Sequence, residues 1–249
     1  MRPVIGLIPA AGRASRLGSR PGSKELALVL TEGSAEPYPV ATVLLDAMGS
    51  AGIANAYIVL RIGKWDIPAA LAGTRETPSI AYLVTPGTAS IPETLDVAYP
   101  FVREADVALG FPDVRFTPPT AMTQLLTAHR RMSLDLVLGL FPSSRPDKTD
   151  MVEVDGDRVT GFRIKPGPCE LTQTWILAAW GPRFTEYLHA YLATAKPRVG
   201  GDSTELQISE VLSAALGDGF SIGGFPIAGG HFIDIGTPDD LARAGTGSN

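Results

Sequence analysis

The stretch Ile5–Leu26, IGLIPAAGRASRLGSRPGSKEL, decides how the rest of the chain is read. It continues a short apolar run, Val4 to Ile8, with the pattern of a buried strand. Small residues follow at Ala10-Ala11-Gly12, where a ligand can come close to the backbone. Arg13, Arg16, Arg20 and Lys24 then bring cations into the same segment. A small-residue turn after a first strand, followed by cations, suits a polyphosphate. The plain alternative is a basic surface loop.

Two common phosphate loops do not fit. A P-loop needs G-x-x-x-x-G-K before Ser or Thr. Gly18 to Lys24 reads G-S-R-P-G-S-K and is followed by Glu25. The dinucleotide fingerprint G-x-G-x-x-G also fails, because the next glycine after Gly12 is Gly18. The segment instead resembles the signature of the sugar-1-phosphate nucleotidyltransferases, roughly A-G-G-x-G-T-R-L ending in a lysine. Gly12, Arg16, Leu17 and Lys24 fit that pattern, with Ala14 and Ser15 replacing the second glycine and the threonine. IPAAG and KEL look most like the glucose-1-phosphate uridylyltransferase version, and Ser23-Lys24 like the thymidylyltransferase version.

Composition bounds the rest. A chain of 249 residues, 45% of them hydrophobic, can bury a sizeable core as one domain. We expect a single domain over 1–249, with a nucleotide-binding half at 1–141 and an acceptor-binding half at 142–249. No run approaches a membrane span, and the start lacks a signal-peptide pattern, so a cytoplasmic setting is expected. The lone Cys169 excludes an internal disulfide and argues against a cysteine-built zinc site. A net charge of −5 argues against a nucleic-acid binder. It does not argue against an anionic substrate, because local cations govern a phosphate site.

Along the chain, strand and helix patterns alternate. Helices are expected at Pro39–Met48, Trp65–Leu71 and Ile91–Val102, and from Thr120 to Arg131. Strands are expected at Ala56–Leu60, Ile80–Val84, Ala105–Gly110 and, fully buried, Leu134–Phe141. This alternation implies an α/β fold, a doubly wound, mainly parallel mixed sheet of Rossmann-like type. After residue 142 the rhythm changes. Ser143–Asp150 reads as a mobile loop, and Met151–Ile164 as a hairpin turning at Asp155-Gly156. Strands at Thr174–Ala179, Phe220–Pro226 and Phe232–Ile235 and helices at Pro182–Thr194 and Ile208–Leu216 form a small acceptor-binding β/α lobe. Thr237-Pro238-Asp239-Asp240 starts a last helix.

Two carboxylates carry the chemistry. Asp113, in GFPDVRF, lies just past the carboxyl end of an apolar strand, where open α/β sheets bind ligands. Asp234 lies between Phe232, Ile233 and Ile235, in a strand suited to burial, where a charge needs a partner or a metal. Two aspartates converging near a polyphosphate loop make an oxygen-rich Mg²⁺ site. Both segments resemble the same family, whose second metal aspartate sits in D-x-G-T.

Weaker matches extend the resemblance to Leu241. TPGTA at 85–89 is similar to a turn that contacts the nucleotide, through Thr85 and Gly87. Lys165-Pro166 is similar to the E-K-P motif that holds the sugar phosphate, with Ile164 in place of its glutamate. TELQISEVL is similar to the E-L-E-I-T-D segment, with Glu205 as the sugar-side acid; the plain alternative is a helix start with Ser209 exposed. The β-helix domain that some relatives append is not expected. His129 and His189 read as structural, His231 is left open near the site, and Trp175 and Trp180 read as core.

The resemblance implies transfer of a nucleotidyl group from an NTP, UTP or dTTP favoured, to a sugar 1-phosphate, with Mg²⁺. It places Arg16 and Lys24 as catalytic cations, and Asp113 and Asp234 on the metal. Ala10, Ala11, Gly12, Thr85, Gly87 and Asp113 would contact nucleotide, and Lys165 and Glu205 the acceptor. No nucleic-acid or membrane partner is expected, and homo-oligomerisation is left open. The competing readings are a cytidylyltransferase for another phosphorylated small molecule and a non-catalytic nucleotide-sugar-binding regulator.

Overall fold

The computed structural model describes residues 2–12, 22–30, 36–73, 76–194, 205–235 and 240. Its first half runs β1 (Val4–Ala10), β2 (Leu28–Val29), β3 (Tyr38–Pro39), α1 (Ala41–Ser50), β4 (Asn55–Arg61), α2 (Asp66–Leu71), β5 (Ser79–Thr85), α3 (Ile91–Asp96) and α4 (Tyr99–Val102). It continues through β6 (Asp106–Gly110), β7 (Val114–Thr117), α5 (Ala121–Met132) and β8 (Leu136–Pro142). The second half comprises β9 (Met151–Asp155), β10 (Arg158–Arg163), β11 (Gln173–Trp180), α6 (Pro182–Thr194), α7 (Ile208–Gly217), β12 (Ile222–Pro226) and β13 (His231–Asp234).

A nine-stranded sheet in the order β5-β4-β1-β6-β11-β8-β12-β10-β9 spans both halves. Strands β5, β4, β1 and β6 are parallel neighbours. Beyond β6 the sheet is mixed: β11 runs antiparallel to β6 and β8, β12 parallel to β8, and β10 antiparallel to β12 and β9. Strand β11, from the second half, is thus inserted between β6 and β8 of the first.

Side chains alternate across a strand, so each strand feeds two cores. Ile8, Ile58, Ala108, Val137 and Leu177 pack with α1, α2 and α5. Leu7, Val59, Leu109, Leu138 and Trp180 pack on the other face with α3, α4, α6 and α7. Burial on both faces explains the near-continuous apolar runs in β1, β6 and β8. Gly110 ends β6 without a side chain, and a methyl there would overlap Leu44 of α1.

The helix expected over Ile91–Val102 is two short helices instead. Pro100 has no N–H to donate to the Asp96 carbonyl one turn back, so the ladder breaks between α3 and α4. The Thr120 hydroxyl makes no cap bond with α5 and accepts the Gln124 amide at 3.2 Å. The helix expected at Thr237 lies outside the described residues, apart from Asp240. Among the described residues no helix is long and apolar enough to cross a membrane.

Candidate active site

The order of the first parallel strands reverses between β1 and β6: the chain winds outward to β4 and β5, then returns to the other side of β1. Ligands of such sheets bind in the crevice beyond the carboxyl ends at this switch point. Here those ends are Ala10-Ala11-Gly12 and Phe111-Pro112-Asp113. A cavity opens there, and its wall includes Ala11, Gly12, Lys24, Asp113 and Asp234. Lys165 and Glu205 line the same cavity from the second half. Ala10 does not, because alternation along β1 turns its side chain into the α1 core. Arg16 lies outside the described residues, as do Leu17, Gly236 and Thr237 of the two motifs.

Lys24 is held from behind. Lys24–Leu26 form one 3₁₀ turn. Ser23 donates to Asp66 through its backbone N–H at 2.6 Å and its hydroxyl at 2.8 Å. Glu25 is only 1% exposed and pairs with Lys64 at 2.7 Å. Lys64 comes from the β4–α2 connection and Asp66 is the first residue of α2, so the Ser23–Glu25 segment is clamped to the start of that helix.

Burial pushes the Glu25 carboxyl above the ordinary glutamate range, and Lys64 opposes that shift. A carboxyl raised in the folded state contributes most below its unfolded value of about 4.5, and that contribution is lost as pH rises through the folded value. Replacing Lys64 with Met removes the counter-charge and should cost about 3 kcal/mol near neutrality. The loss should be smaller near pH 5, where Glu25 can protonate, than at pH 8. Thermal melts at both pH values measure this, and an equal loss at the two would refute it.

On the other side, Lys24 forms an ion pair with Asp113. Burial would depress the Lys24 amine, but Asp113 outweighs it, with help from Glu25 and Asp234, and lifts it above the ordinary lysine range. The two aspartates are brought together by a ribbon not anticipated from the sequence. Strand β13 pairs antiparallel with β7, setting Asp234 opposite Val114, and the Ile235 N–H donates to the Asp113 carbonyl at 2.9 Å. Asp234 is exposed, whereas its apolar neighbours suggested burial. One face of a two-stranded ribbon stays open, so alternation buries Ile235 and leaves Asp234 at the cavity wall.

The donor set fits Mg²⁺ rather than a protein-caged ion. Among the described residues no group of three or more His, Cys, Asp or Glu gathers. Mg²⁺ is commonly held by one or two carboxylates with phosphate oxygens and water completing the shell. Asp113 and Asp234 supply such a pair.

Of the TPGTA turn at 85–89, Thr88 alone lines the cavity. Thr85 and Gly87 are not in the cavity wall, where Thr88, Ser90, Ile91 and Thr94 stand instead. Gly87 lies beside the Arg61 guanidinium, 3.8 Å from where its Cβ would be. Ser90 caps α3, with Glu93 N–H donating to Ser90 Oγ at 3.3 Å, while the Glu93 carboxylate accepts the N–H of Ala89, the residue before the cap, at 2.7 Å. The S-x-x-E spacing that marks a helix start was the signal that could have located this wall. The Thr88 and Thr94 hydroxyls meet at 2.5 Å, and Thr94 also donates to the Ser90 carbonyl at 3.0 Å.

In the second half, Lys165 has a left-handed backbone, φ 42°, a conformation usually found where surrounding structure enforces it. Its amine donates to Gln207 at 3.2 Å. Ile164 is exposed and outside the cavity wall. Ser209 is fully buried, not exposed, because it bridges Trp175 and Asp150. Trp175 is buried but also lines the cavity, whereas Trp180 is core and donates to Thr185 at 2.9 Å. None of the histidines lines the cavity. His129 is half-buried in α5, His189 pairs with Asp96 at 2.9 Å, and His231 is exposed.

Comparison with known proteins bears on this geometry. No protein-family profile matches the chain, and no curated protein sequence does. Solved structures do. A structure assigned as a glucose-1-phosphate thymidylyltransferase from Bacillus anthracis, in complex with sucrose, superposes with a TM-score of 0.80. It is 19% identical, over 98% of this chain and 94% of that one. The chain has the fold of that structure. A UTP-bound UGPase from Acinetobacter baumannii matches at TM-score 0.76 and 15% identity, over 97% of this chain and 92% of that one. A UDP-glucose pyrophosphorylase complexed with UDP-glucose matches at 0.78 and 15%, over 98% and 97%. The α/β, Rossmann-like architecture implied by the alternation of strands and helices is therefore the observed one.

Proposed function

We propose that the protein transfers a nucleotidyl group from an NTP to a sugar 1-phosphate, releasing pyrophosphate. The observation that carries this reading is the joining of Lys24, Asp113 and Asp234 at the switch point, with Lys165 and Glu205 in the same cavity. Three solved structures of the same fold are of enzymes named for this chemistry or hold its nucleotides. Their low identity leaves the reaction to rest on the residues.

The acceptor's phosphate oxygen attacks the α-phosphorus of the NTP. The bond to the β-phosphate oxygen breaks, and pyrophosphate leaves. Such a displacement needs positioning and charge neutralisation, not a protein nucleophile. Ala11 and Gly12 let the nucleotide lie against the end of β1. The wall from Thr88 to Thr94 offers hydroxyls to the nucleoside. Lys24 exchanges Asp113 for phosphate oxygens, and its charge offsets the repulsion between the two phosphates. Asp113 and Asp234 would hold Mg²⁺, which when bound neutralises charge on the nucleotide phosphates. Arg16, by resemblance, would face the leaving pyrophosphate, and Lys165 the acceptor phosphate. The resemblance favours UTP or dTTP.

The test is pyrophosphate release from each of four NTPs with a set of sugar 1-phosphates. Release should require both substrates and Mg²⁺ and yield one nucleotide sugar per pyrophosphate. Tight binding of a nucleotide sugar with no release under any pairing would instead support the regulatory protein.

A further inference from the structure

The acceptor side of the cavity contains a carboxylate that the mechanism above does not use. Asp150 lines the cavity just before β9. Its backbone carbonyl accepts the Thr174 hydroxyl at 2.7 Å, and its Oδ2 accepts the Ser209 hydroxyl at 2.7 Å. Ser209, fully buried, in turn accepts the Trp175 indole N–H at 3.2 Å. The acid is thus fixed by β11 and α7 together. Its Oδ1 has no hydrogen-bond partner and no contact with solvent.

A carboxylate oxygen left bare in a protein wall is costly and calls for a functional explanation. The nearby cations do not supply it. Lys165 donates to Gln207, and Lys148 lies 3.6 Å from Asp240. Once an acceptor phosphate draws on these lysines, Asp150 and Glu205 are the carboxylates left on this side of the cavity wall. A neutral hydroxyl offers either acid a hydrogen bond. An ammonium offers hydrogen bonds and the missing charge, a combination roughly twice as strong. The charge is shared by both carboxylate oxygens, so a cation at the cavity edge also compensates Oδ1. Trp175, which shares Ser209 with Asp150, and Phe111, its ring centroid 5.8 Å from that of Trp175, stand in the same wall, and aromatic rings favour a cation.

We propose that the acceptor phosphate carries a cationic amine that docks on the Asp150 carboxylate against Trp175 and Phe111. This rests on the nucleotidyl-transfer reading of the same cavity. An amine-bearing sugar 1-phosphate and a phosphorylated amino alcohol share this chemistry.

Calorimetric titration with glucosamine 1-phosphate, glucose 1-phosphate and phosphoethanolamine tests it. At least one amine compound should bind the parent protein at least about tenfold more tightly than glucose 1-phosphate. Which amine compound does so identifies the source. In Asp150→Asn the ratio should fall below about threefold. Equal or tighter binding of glucose 1-phosphate by the parent, or a ratio unchanged in Asp150→Asn, overturns the proposal. The parent ratio needs no variant and decides even if the variant folds poorly. Pyrophosphate release from the same compounds separates the two claims. Release from glucose 1-phosphate alone overturns the amine and leaves nucleotidyl transfer standing. Release from none overturns transfer, and the binding ratio still decides the amine.

Discussion

Asp234→Asn should lower turnover by at least about a hundredfold, the scale expected when a key charge-stabilising group is lost. Its melting temperature should stay within about 2 °C of the parent's, as for most exposed substitutions. Asp234 is the last residue of β13, exposed at the cavity wall, and its backbone pairing with β7 does not depend on the carboxylate. Asn keeps the shape and removes only the charge. The loss should therefore appear in activity and in the concentration of Mg²⁺ needed, and not in stability. Titrating turnover against Mg²⁺ for parent and variant, beside a thermal melt of each, makes the comparison. A variant with parental turnover and an unchanged Mg²⁺ requirement would remove Asp234 from the site.

Lys24→Met should cost at least about a hundredfold in turnover and, in the nucleotide-free protein, tighten divalent-metal binding several-fold. The two effects have one cause. In the free protein the Lys24 ammonium pairs with Asp113, the carboxylate that is also the proposed metal ligand. A metal ion must compete with that ammonium. Nucleotide phosphates would draw it away, so metal and nucleotide should bind better together than separately. Mn²⁺, followed by electron paramagnetic resonance without nucleotide, reports the competition independently of catalysis. If Lys24→Met binds Mn²⁺ no better than the parent, Lys24 does not guard Asp113. If it also keeps parental turnover, the lysine has no catalytic part.

The candidate site was partly legible because phosphate chemistry uses few residue types at constrained places. Small residues after β1, a lysine at the end of the loop and an aspartate after β6 can be read from the sequence, since strand ends follow from apolar runs. Lys165 and Glu205 were found by resemblance alone, and the structure places both in the same cavity wall. The clamp of Lys64 and Asp66 was not legible. Lys64 lies in an ordinary turn and Asp66 starts a short helix, and nothing local distinguishes a lysine that pairs with a buried glutamate from one in solvent. Thr88, Ser90 and Thr94 line the cavity where the TPGTA resemblance pointed to Thr85 and Gly87, because which residue of a turn faces a cavity depends on how α3 packs and not on the motif.

By itself the sequence determined the alternation of strands and helices, the two-faced burial of the central strands and the residues that carry charge at strand ends. These follow from periodicity and from the cost of burying polar groups, both local properties. Only the tertiary structure decided that β11 inserts antiparallel beside β6, that the β7–β13 ribbon sets Asp234 next to Asp113, and that Ser209 turns inward to hold Asp150. Each depends on pairing between segments far apart in the chain. Strand register and side-chain burial are settled there by which surfaces meet, a property that no local window of sequence contains.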